Sequence, residues 1–218
     1  ALPPRLIIPF LLINLNNINN TGVYNDENAV SKLVDDFNFI GFGLANNHIF
    51  DSNSINETKS FLKSKNLLFT GIGENFKDAS KPILFNESNN EVLIVNFGWE
   101  VIQCPVNKTG PTVSPLKKNF VINRVKCLLS EYPNHKLVVF MHWNYELESE
   151  PQPFERELAK NLIDIGASGI IGCHPHRIGG FERYKDKPIV YSLGNWLFKQ
   201  DYYLDGKVKF PDFCKFLR

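Results

Sequence analysis

Two histidines separated by a single proline are the residues of this sequence best suited to chemistry. His174 and His176 flank Pro175, and the short apolar run 169–173 leads directly into them. Proline holds its φ at about −65° and so stiffens the backbone between the two imidazoles. An apolar run that ends abruptly in polar residues is typical of a buried strand that delivers side chains to a site at its carboxyl end. We therefore expect a functional site where this strand ends.

Two other apolar runs end in the same way. The run 39–45 leads into Asn46, Asn47 and His48, and the run 136–141 leads into His142 and Trp143. These three clusters hold four of the five histidines, and the fifth lies in a polar turn. Imidazole nitrogen and amide oxygen suit zinc, manganese or iron, and a pair of such metals can clamp a phosphoryl group. A shared metal site is predicted, and the alternative that each histidine is a structural residue stays open.

The spacing of apolar residues predicts the elements that carry these clusters. The predicted helices are 28–37, 54–64, 119–132 and 154–165, and the predicted strands are 9–15, 39–45, 67–70, 136–141 and 169–173. Two hairpins are predicted, at 83–85 with 92–97 and at 183–184 with 188–191. Strands that alternate with helices, interrupted by hairpins, predict an α/β fold with a mixed sheet system flanked by helices. The sequence shows no internal repeat and no linker, so a single domain over 1–218 is predicted.

The composition is that of a soluble globular chain and excludes several classes of function. The hydrophobic share is 43%, the charged share is 22%, and the formal net charge of +1 gives no electrostatic case for nucleic acid. The four cysteines form no CxxC pair, so free thiols are expected rather than a structural zinc site. No stretch approaches the roughly 20 apolar residues of a membrane span. Because the chain begins with Ala1 and its single methionine is Met141, we expect that Ala1 is not the translation start and that any anchor would precede it.

Four stretches resemble the CapA family of bacterial capsule and poly-γ-glutamate biosynthesis proteins. They are GLANNHIFD (43–51), HWNYELESEPQP (142–153), NLIDIGASGIIGCHPH (161–176) and KPIVYSLGNWLF (187–198). Their order and spacing fit the family across nearly the whole chain. The resemblance implies a calcineurin-like metallophosphoesterase fold, which is a four-layer α/β/β/α sandwich.

The resemblance also implies roles for individual residues. The implied metal ligands are Asn47, His142, His174 and His176, for one or two divalent ions of zinc, manganese or iron. His48 would be the proton donor or a substrate contact, and Glu146 matches an acidic position in the family's His-Trp-Gly-x-Glu-Tyr stretch, although its glycine is Asn144 here. The implied substrate contacts are Asn46, Trp143, Tyr191 and Asn195.

The sequence departs from the family at its beginning. The family's first strand carries a Gly-Asp pair whose aspartate is a metal ligand, and no such strand precedes Leu11. The next strand of the family ends in Asn-Leu-Glu, whereas Asn16 stands here in place of the bridging glutamate. A neutral amide cannot offset two divalent charges as a carboxylate does. We therefore expect an N-terminally incomplete family domain. Either another segment supplies the acidic ligands, or the chain binds one metal weakly, or it binds none.

Two functions follow from these observations. The first is a metal-dependent, phosphoesterase-like hydrolase of capsule or exopolymer biosynthesis, which the retained histidines favour. The second is a non-catalytic polymer-binding or assembly subunit of a capsule synthesis or export complex, which Asn16 favours. Either would have the capsule polymer or its precursor as a partner, together with other capsule synthesis proteins, and the sequence leaves open whether the chain works at the cell envelope or in the cytoplasm.

Overall fold

Two β-sheets and two smaller strand pairs form the framework of the chain. The computed structural model describes residues 6–8, 27–36, 39–51, 55–87, 90–195, 203–204 and 208–209. The strands in chain order are β1 (Leu6–Ile8), β2 (Phe39–Gly43), β3 (Leu68–Thr70), β4 (Ile72–Gly73), β5 (Ile83–Glu87), β6 (Asn90–Gly98), β7 (Thr112–Val113), β8 (Lys136–His142), β9 (Gly169–Cys173), β10 (Phe181–Tyr184), β11 (Lys187–Val190), β12 (Tyr203–Leu204) and β13 (Val208–Lys209). The helices are α1 (Glu27–Asp36), α2 (Ile55–Ser64), α3 (Phe76–Ala79), α4 (Lys118–Glu131) and α5 (Pro153–Asp164), with one 3-10 turn at Glu100–Ile102.

The order of the strands brings the predicted polar clusters to one edge of the second sheet. The first sheet is parallel, in the order β1-β2-β3, and the second is mixed, in the order β10-β11-β9-β8-β6-β5. Its central strands β6, β8 and β9 are parallel, and their register pairs Gly98 with His142 and His142 with Cys173. Since the carboxyl ends of parallel strands meet at one edge, His142 and the chain that follows Cys173 emerge side by side.

Alternation of side chains along β8 explains how the second sheet is covered on both faces. Val139 and Met141 point to the face that packs against α4 and α5. Phe140 and His142 point to the opposite face, where Phe140 joins a cluster with Ile83 of β5 and Ile94 of β6. This second face lies against the first sheet, because β3 contacts both β5 and β6.

Helices α1 and α2 cover the first sheet. Val30 of α1 and Phe61 and Leu62 of α2 are buried in one cluster with Phe39 and Phe42 of β2. The layers are therefore helix, sheet, sheet and helix, which confirms the four-layer arrangement expected from the sequence. None of the helices in the described part of the chain is long and apolar enough to cross a membrane.

Most predicted elements are confirmed to within one or two residues at their ends, and β9 has the predicted bounds. Both predicted hairpins pair as antiparallel strands. The predicted strand 9–15 and Asn16 lie outside the described residues. The structure adds β1 at Leu6–Ile8, which pairs in parallel with β2 and carries no Gly-Asp pair. A run of three apolar residues has too little periodicity to predict a strand, so pairing with β2 decides this one.

Candidate metal and phosphoester site

The loop that follows β2 is held to the second sheet by one buried side chain. Asn96 of β6 is 1% exposed, and its Oδ1 accepts a hydrogen bond from Ala45 N at 2.7 Å. Its Nδ2 donates to Phe140 O at 3.4 Å. Ala45 lies two residues before Asn47 and Phe140 lies two residues before His142, so this amide joins the two elements that carry the predicted ligands.

Gly71 leaves the space that this bridge needs. A Cβ atom at this position would lie 2.5 Å from Ala45 N and 2.6 Å from Asn96 Oδ1, which real side chains do not tolerate. The φ of Gly71 is +102°, in a region that disfavours side chains as well. A residue larger than glycine would therefore push the Ala45 loop away from Asn96.

Asn47 and His142 meet across the two sheets. Asn47 Oδ1 lies 2.9 Å from His142 Nε2. Two donor atoms that bind one ion at about 2.1 Å and at right angles are roughly 3 Å apart, so this pair has the spacing of two ligands of the same cation. The structure therefore brings together two residues that the sequence predicted as ligands of one metal.

These two residues belong to a continuous chain of hydrogen bonds. Its four contacts run from Cys173 Sγ to His142 Nδ1 at 3.0 Å, from His142 Nε2 to Asn47 Oδ1 at 2.9 Å, from Asn47 Nδ2 to His48 Nε2 at 3.0 Å, and from His48 Nδ1 to Asp51 Oδ2 at 2.7 Å. An amide oxygen accepts and an amide nitrogen donates, so Asn47 fixes the direction of the whole chain. His142 then carries its proton on Nε2, and His48 carries its proton on Nδ1 and donates it to the Asp51 carboxylate.

Burial keeps the two inner histidines neutral. Desolvation lowers the pKa of His142 well below its usual value, and the neighbouring His174, His176 and His48 lower it further. Desolvation also lowers the pKa of His174 to about 4, with smaller contributions from His176 and His48. Neutral imidazole is the form that binds metals. Both rings are therefore in the metal-binding state at neutral pH.

His174 and His176 have backbone conformations that are uncommon for residues with a side chain. Their φ values are +100° and +61°, and Pro175 lies between them. Such conformations cost about 1–3 kcal/mol each and are concentrated at functional sites. Pro175 O accepts a hydrogen bond from Leu147 N at 2.9 Å, and His176 Nδ1 lies 2.8 Å from Asn195 Oδ1. The turn 174–176 is therefore fixed by hydrogen bonds to Leu147 and to Asn195.

The donors suit a divalent cation, but they do not form a closed metal site. The ring centroid of His174 lies 4.9 Å from that of His142 and 6.1 Å from that of His176. Within the described residues, no group of three or more His, Cys, Asp or Glu side chains is arranged to hold a metal ion. Neutral imidazole and amide donors fit zinc, manganese or iron in type. The position of the missing carboxylate, Asn16, lies outside the described residues.

Trp143 and Tyr191, predicted as substrate contacts, lie in the core beneath the site. Trp143 is fully buried and Tyr191 is 3% exposed. Trp143 Nε1 donates to Tyr191 O at 2.9 Å, and the two rings stack. A Cβ atom on Gly172 would collide with both of these groups. In this structure both side chains are buried, and their hydrogen bond leaves room only for glycine beside Cys173. Their contact with substrate stays a prediction.

The remaining predicted site residues, Asn46, Asn195 and Glu146, lie at three different places around the histidines. Asn46 is 5% exposed, and its side chain bonds the backbone of His48 and Leu44, so it shapes the turn before His48. Asn195 faces His176 and lies at the site. Glu146 is exposed in the loop after β8, two residues beyond Asn144. Asn144 has φ +65°, which explains how asparagine occupies a position where the resemblance expects glycine.

Three residues to which the sequence assigned no role, Asp51, Asn96 and Cys173, lie in or behind the site. Asp51 could have been found, because its spacing of three residues from His48 suits a side-chain contact within one turn. Asn96 and Cys173 gave no local signal, since their partners lie 51 and 31 residues away.

Comparison with protein families gives an independent result. The family model described as "Bacterial capsule synthesis protein PGA_cap" matches residues 14–200. The capsule biosynthesis protein CapA of Bacillus anthracis is 32% identical over 174 residues, which are 78% of this chain and 42% of that protein. The PGA biosynthesis protein CapA of Bacillus subtilis (strain 168) is 32% identical over 176 residues, which are 78% of this chain and 45% of that protein. The chain thus spans less than half the length of these relatives.

Solved structures share the fold at low sequence identity. A 5'-nucleotidase precursor from Thermus thermophilus matches 76% of this chain and 35% of its own with a TM-score of 0.51 and 15% identity. A hypothetical protein from the same organism matches 76% of this chain and 57% of its own, also with a TM-score of 0.51 and 15% identity. These matches confirm the metallophosphoesterase-like α/β fold expected from the sequence, and at this identity they show the fold alone.

Proposed function

The chain belongs to the bacterial capsule synthesis protein family PGA_cap, and on that basis we propose that it is a metal-dependent hydrolase of phosphoester type that acts in capsule polymer biosynthesis. The observation that carries this proposal is the 2.9 Å contact between Asn47 Oδ1 and His142 Nε2. It joins an amide oxygen and an imidazole nitrogen, from different sheets, at the spacing of two ligands of one ion.

The chain's own residues supply most of what such a site requires. The proposed ligands are Asn47, His142, His174 and His176. When bound, a divalent cation supplies Lewis-acid polarisation of a phosphoryl oxygen. The low pKa values of His142 and His174 keep both rings available as ligands, and the hydrogen bond that His176 Nδ1 donates to Asn195 Oδ1 orients the His176 ring.

His48 and Asp51 are the proposed proton-transfer pair. The Asp51 carboxylate holds a proton at His48 Nδ1 and stabilises the ring when it becomes charged. A second proton, taken up from solvent at His48 Nε2, would then pass to the oxygen of a leaving group. Asn47 Nδ2 donates to the unprotonated Nε2 at 3.0 Å, so this hydrogen bond must break before Nε2 can carry that proton. Glu146 stays a candidate second carboxylate on the exposed loop after β8.

The proposed substrate is a phosphoester or a related bond in capsule polymer or in its precursor. One relative is named for PGA biosynthesis and another for capsule biosynthesis. We propose poly-γ-glutamate, or a capsular polysaccharide, as the polymer that this chain helps to make, and other capsule synthesis proteins as its partners.

A specific observation also favours a second function, the binding of polymer without catalysis. The histidine rings do not close around one point within the described residues, and the amide of Asn16 stands where the family has a carboxylate. A cleft with this donor set could bind an anionic or hydroxylated polymer through neutral groups. In that case the fold would serve as a subunit of a synthesis or export complex.

Metal analysis of protein purified without chelators separates the two functions. The hydrolase proposal expects stoichiometric zinc, manganese or iron, together with turnover of a generic aryl phosphate. Both should be lost in the His174→Ala/His176→Ala variant and kept in His135→Ala, which removes a histidine of the polar turn beside Tyr132. Metal-free protein that remains inactive when manganese or zinc is added would contradict the hydrolase proposal and favour the binding function.

A further inference from the structure

Cys173 contacts a proposed metal ligand from the strand next to it. Its Sγ lies 3.0 Å from His142 Nδ1, and both groups are buried. Cys173 and His142 are register partners on the parallel strands β9 and β8, so their side chains point to the same face of the sheet.

The thiol has a second partner in reach. Cys173 Sγ also lies 3.4 Å from Met141 O, the backbone carbonyl next to His142. A thiol is a weak donor and a weak acceptor, so it can donate to either His142 Nδ1 or Met141 O and can accept from a protonated Nδ1. Cys173 is therefore suited to both neutral forms of the His142 ring.

The structure shows one of these two forms. Asn47 Oδ1 accepts from His142 Nε2, which leaves Nδ1 to accept from the Cys173 thiol. A His142 that binds a cation through Nε2 must carry its proton on Nδ1 instead. The ring stays neutral in this exchange, since the proton lost at Nε2 is matched by one gained at Nδ1. The thiol then turns its own proton towards Met141 O and accepts from Nδ1.

We propose that Cys173 is a positioning residue that orients the His142 ring and satisfies Nδ1 in both tautomers, so that His142 Nε2 can exchange Asn47 for a divalent cation. This inference rests on the proposed function for its metal-binding half. Its other half, the hydrogen bond that orients the His142 ring through Nδ1, applies to the metal-free protein as well. The geometry that supports the proposal is the buried Cys173 Sγ atom, which lies 3.0 Å from His142 Nδ1 and 3.4 Å from Met141 O.

Two measurements on the whole chain test the inference. Nitrogen NMR of the histidine rings in chelator-treated protein reports the hydrogen bonding of His142 Nδ1, and a manganese titration followed by electron paramagnetic resonance reports affinity for Mn²⁺, which thiols bind poorly. Cys173→Ala should change the His142 Nδ1 signal and weaken Mn²⁺ binding by about 10–100-fold, the usual effect of losing such a partner. Cys173→Ser, whose hydroxyl also donates and accepts, should restore both, and Cys127→Ala on the exposed side of α4 should change neither.

The outcomes separate this inference from the proposed function. If Cys173→Ala leaves both the His142 Nδ1 signal and Mn²⁺ affinity as in the unmodified protein, or if Cys173→Ser behaves like Cys173→Ala, the positioning role is wrong. If the Nδ1 signal changes in Cys173→Ala and returns in Cys173→Ser while the unmodified protein binds no Mn²⁺, the positioning role stands and the hydrolase proposal fails.

Discussion

Asn47 Oδ1 lies 2.9 Å from His142 Nε2 although 95 residues separate them along the chain. Asn47 follows the parallel strand β2 of the first sheet, and His142 ends β8 of the second. Their contact therefore depends on how the two sheets are stacked, and any change in that stacking should be felt at the site.

Asn96→Ala should weaken the attachment of the Ala45 loop to the second sheet. The substitution removes the acceptor of Ala45 N and leaves a buried amide unpaired, which costs about 1–3 kcal/mol of unfolding free energy. Because the Ala45 loop carries Asn47, Mn²⁺ affinity should fall as well. Denaturant unfolding and a manganese titration measure the two effects, with Asn123→Ala on the exposed face of α4 as the control. A stability loss with unchanged Mn²⁺ affinity would show that Asn96 has no positioning role.

Asp51→Asn should slow catalysis without affecting metal binding. An amide cannot stabilise a charged His48 ring as the carboxylate does, so we expect kcat for an aryl phosphate to fall about 10–100-fold. Mn²⁺ affinity should stay within about threefold of that of the unmodified protein, since Asp51 contacts His48 rather than a proposed ligand. Asp35→Asn, which alters a surface ion pair with Lys65, is the matched control. An unchanged kcat would remove His48 and Asp51 from the proposed mechanism.

His174 should make the metal-free protein less stable in acid. Its pKa in the folded state is lowered to about 4, whereas the unfolded chain takes up the proton near 6.5. Between these values the unfolded state binds one more proton, so the free energy of unfolding should fall by about 1.4 kcal/mol for each unit of decreasing pH. His142 adds to this loss because its pKa is also lowered. Denaturant unfolding from pH 7 to pH 4 should show a shallower decline in His174→Gln, and equal slopes would argue against a buried neutral His174.

Glu155 should make the protein less stable as the pH rises, whereas His174 makes it less stable in acid. It is fully buried at the start of α5, and burial raises its pKa to about 8. Its Oε2 accepts from Gln152 N, while none of the residues that the structure describes forms a hydrogen bond with its Oε1. The unfolded chain loses this proton near pH 4.5, so this contribution to stability is present at low pH and is lost as the pH rises towards 8.

The substitution Glu155→Gln should therefore stabilise the protein near pH 8, by on the order of 2 kcal/mol, and have little effect near pH 4. Glutamine keeps an oxygen for Gln152 N and carries no charge to bury. Thermal unfolding at both pH values measures the difference, with the exposed Glu157→Gln on the same helix as control. A stabilisation of equal size at both pH values would show that the ionisation of Glu155 is not the cause.

Local patterns in the sequence determined the elements and their polar ends. Short continuous apolar runs located β8 and β9, and helical spacing located α4 and α5. The abrupt change to polar residues placed Asn47, His142 and His174 at the ends of strands. These patterns are local, because each depends only on residues that lie a few positions apart in the chain. For the same reason the spacing of His48 and Asp51 was open to sequence reasoning.

The tertiary structure alone decided which of these residues touch and which are hidden. The pairing of Cys173 with His142 follows from the register of β9 on β8, and the bond from Ala45 N to Asn96 follows from the stacking of the two sheets. The motif that begins at His142 predicts a substrate contact at Trp143, but packing against α4 and α5 buries this side chain completely. Contacts between residues far apart in the chain depend on register and on layer packing, which no local periodicity encodes.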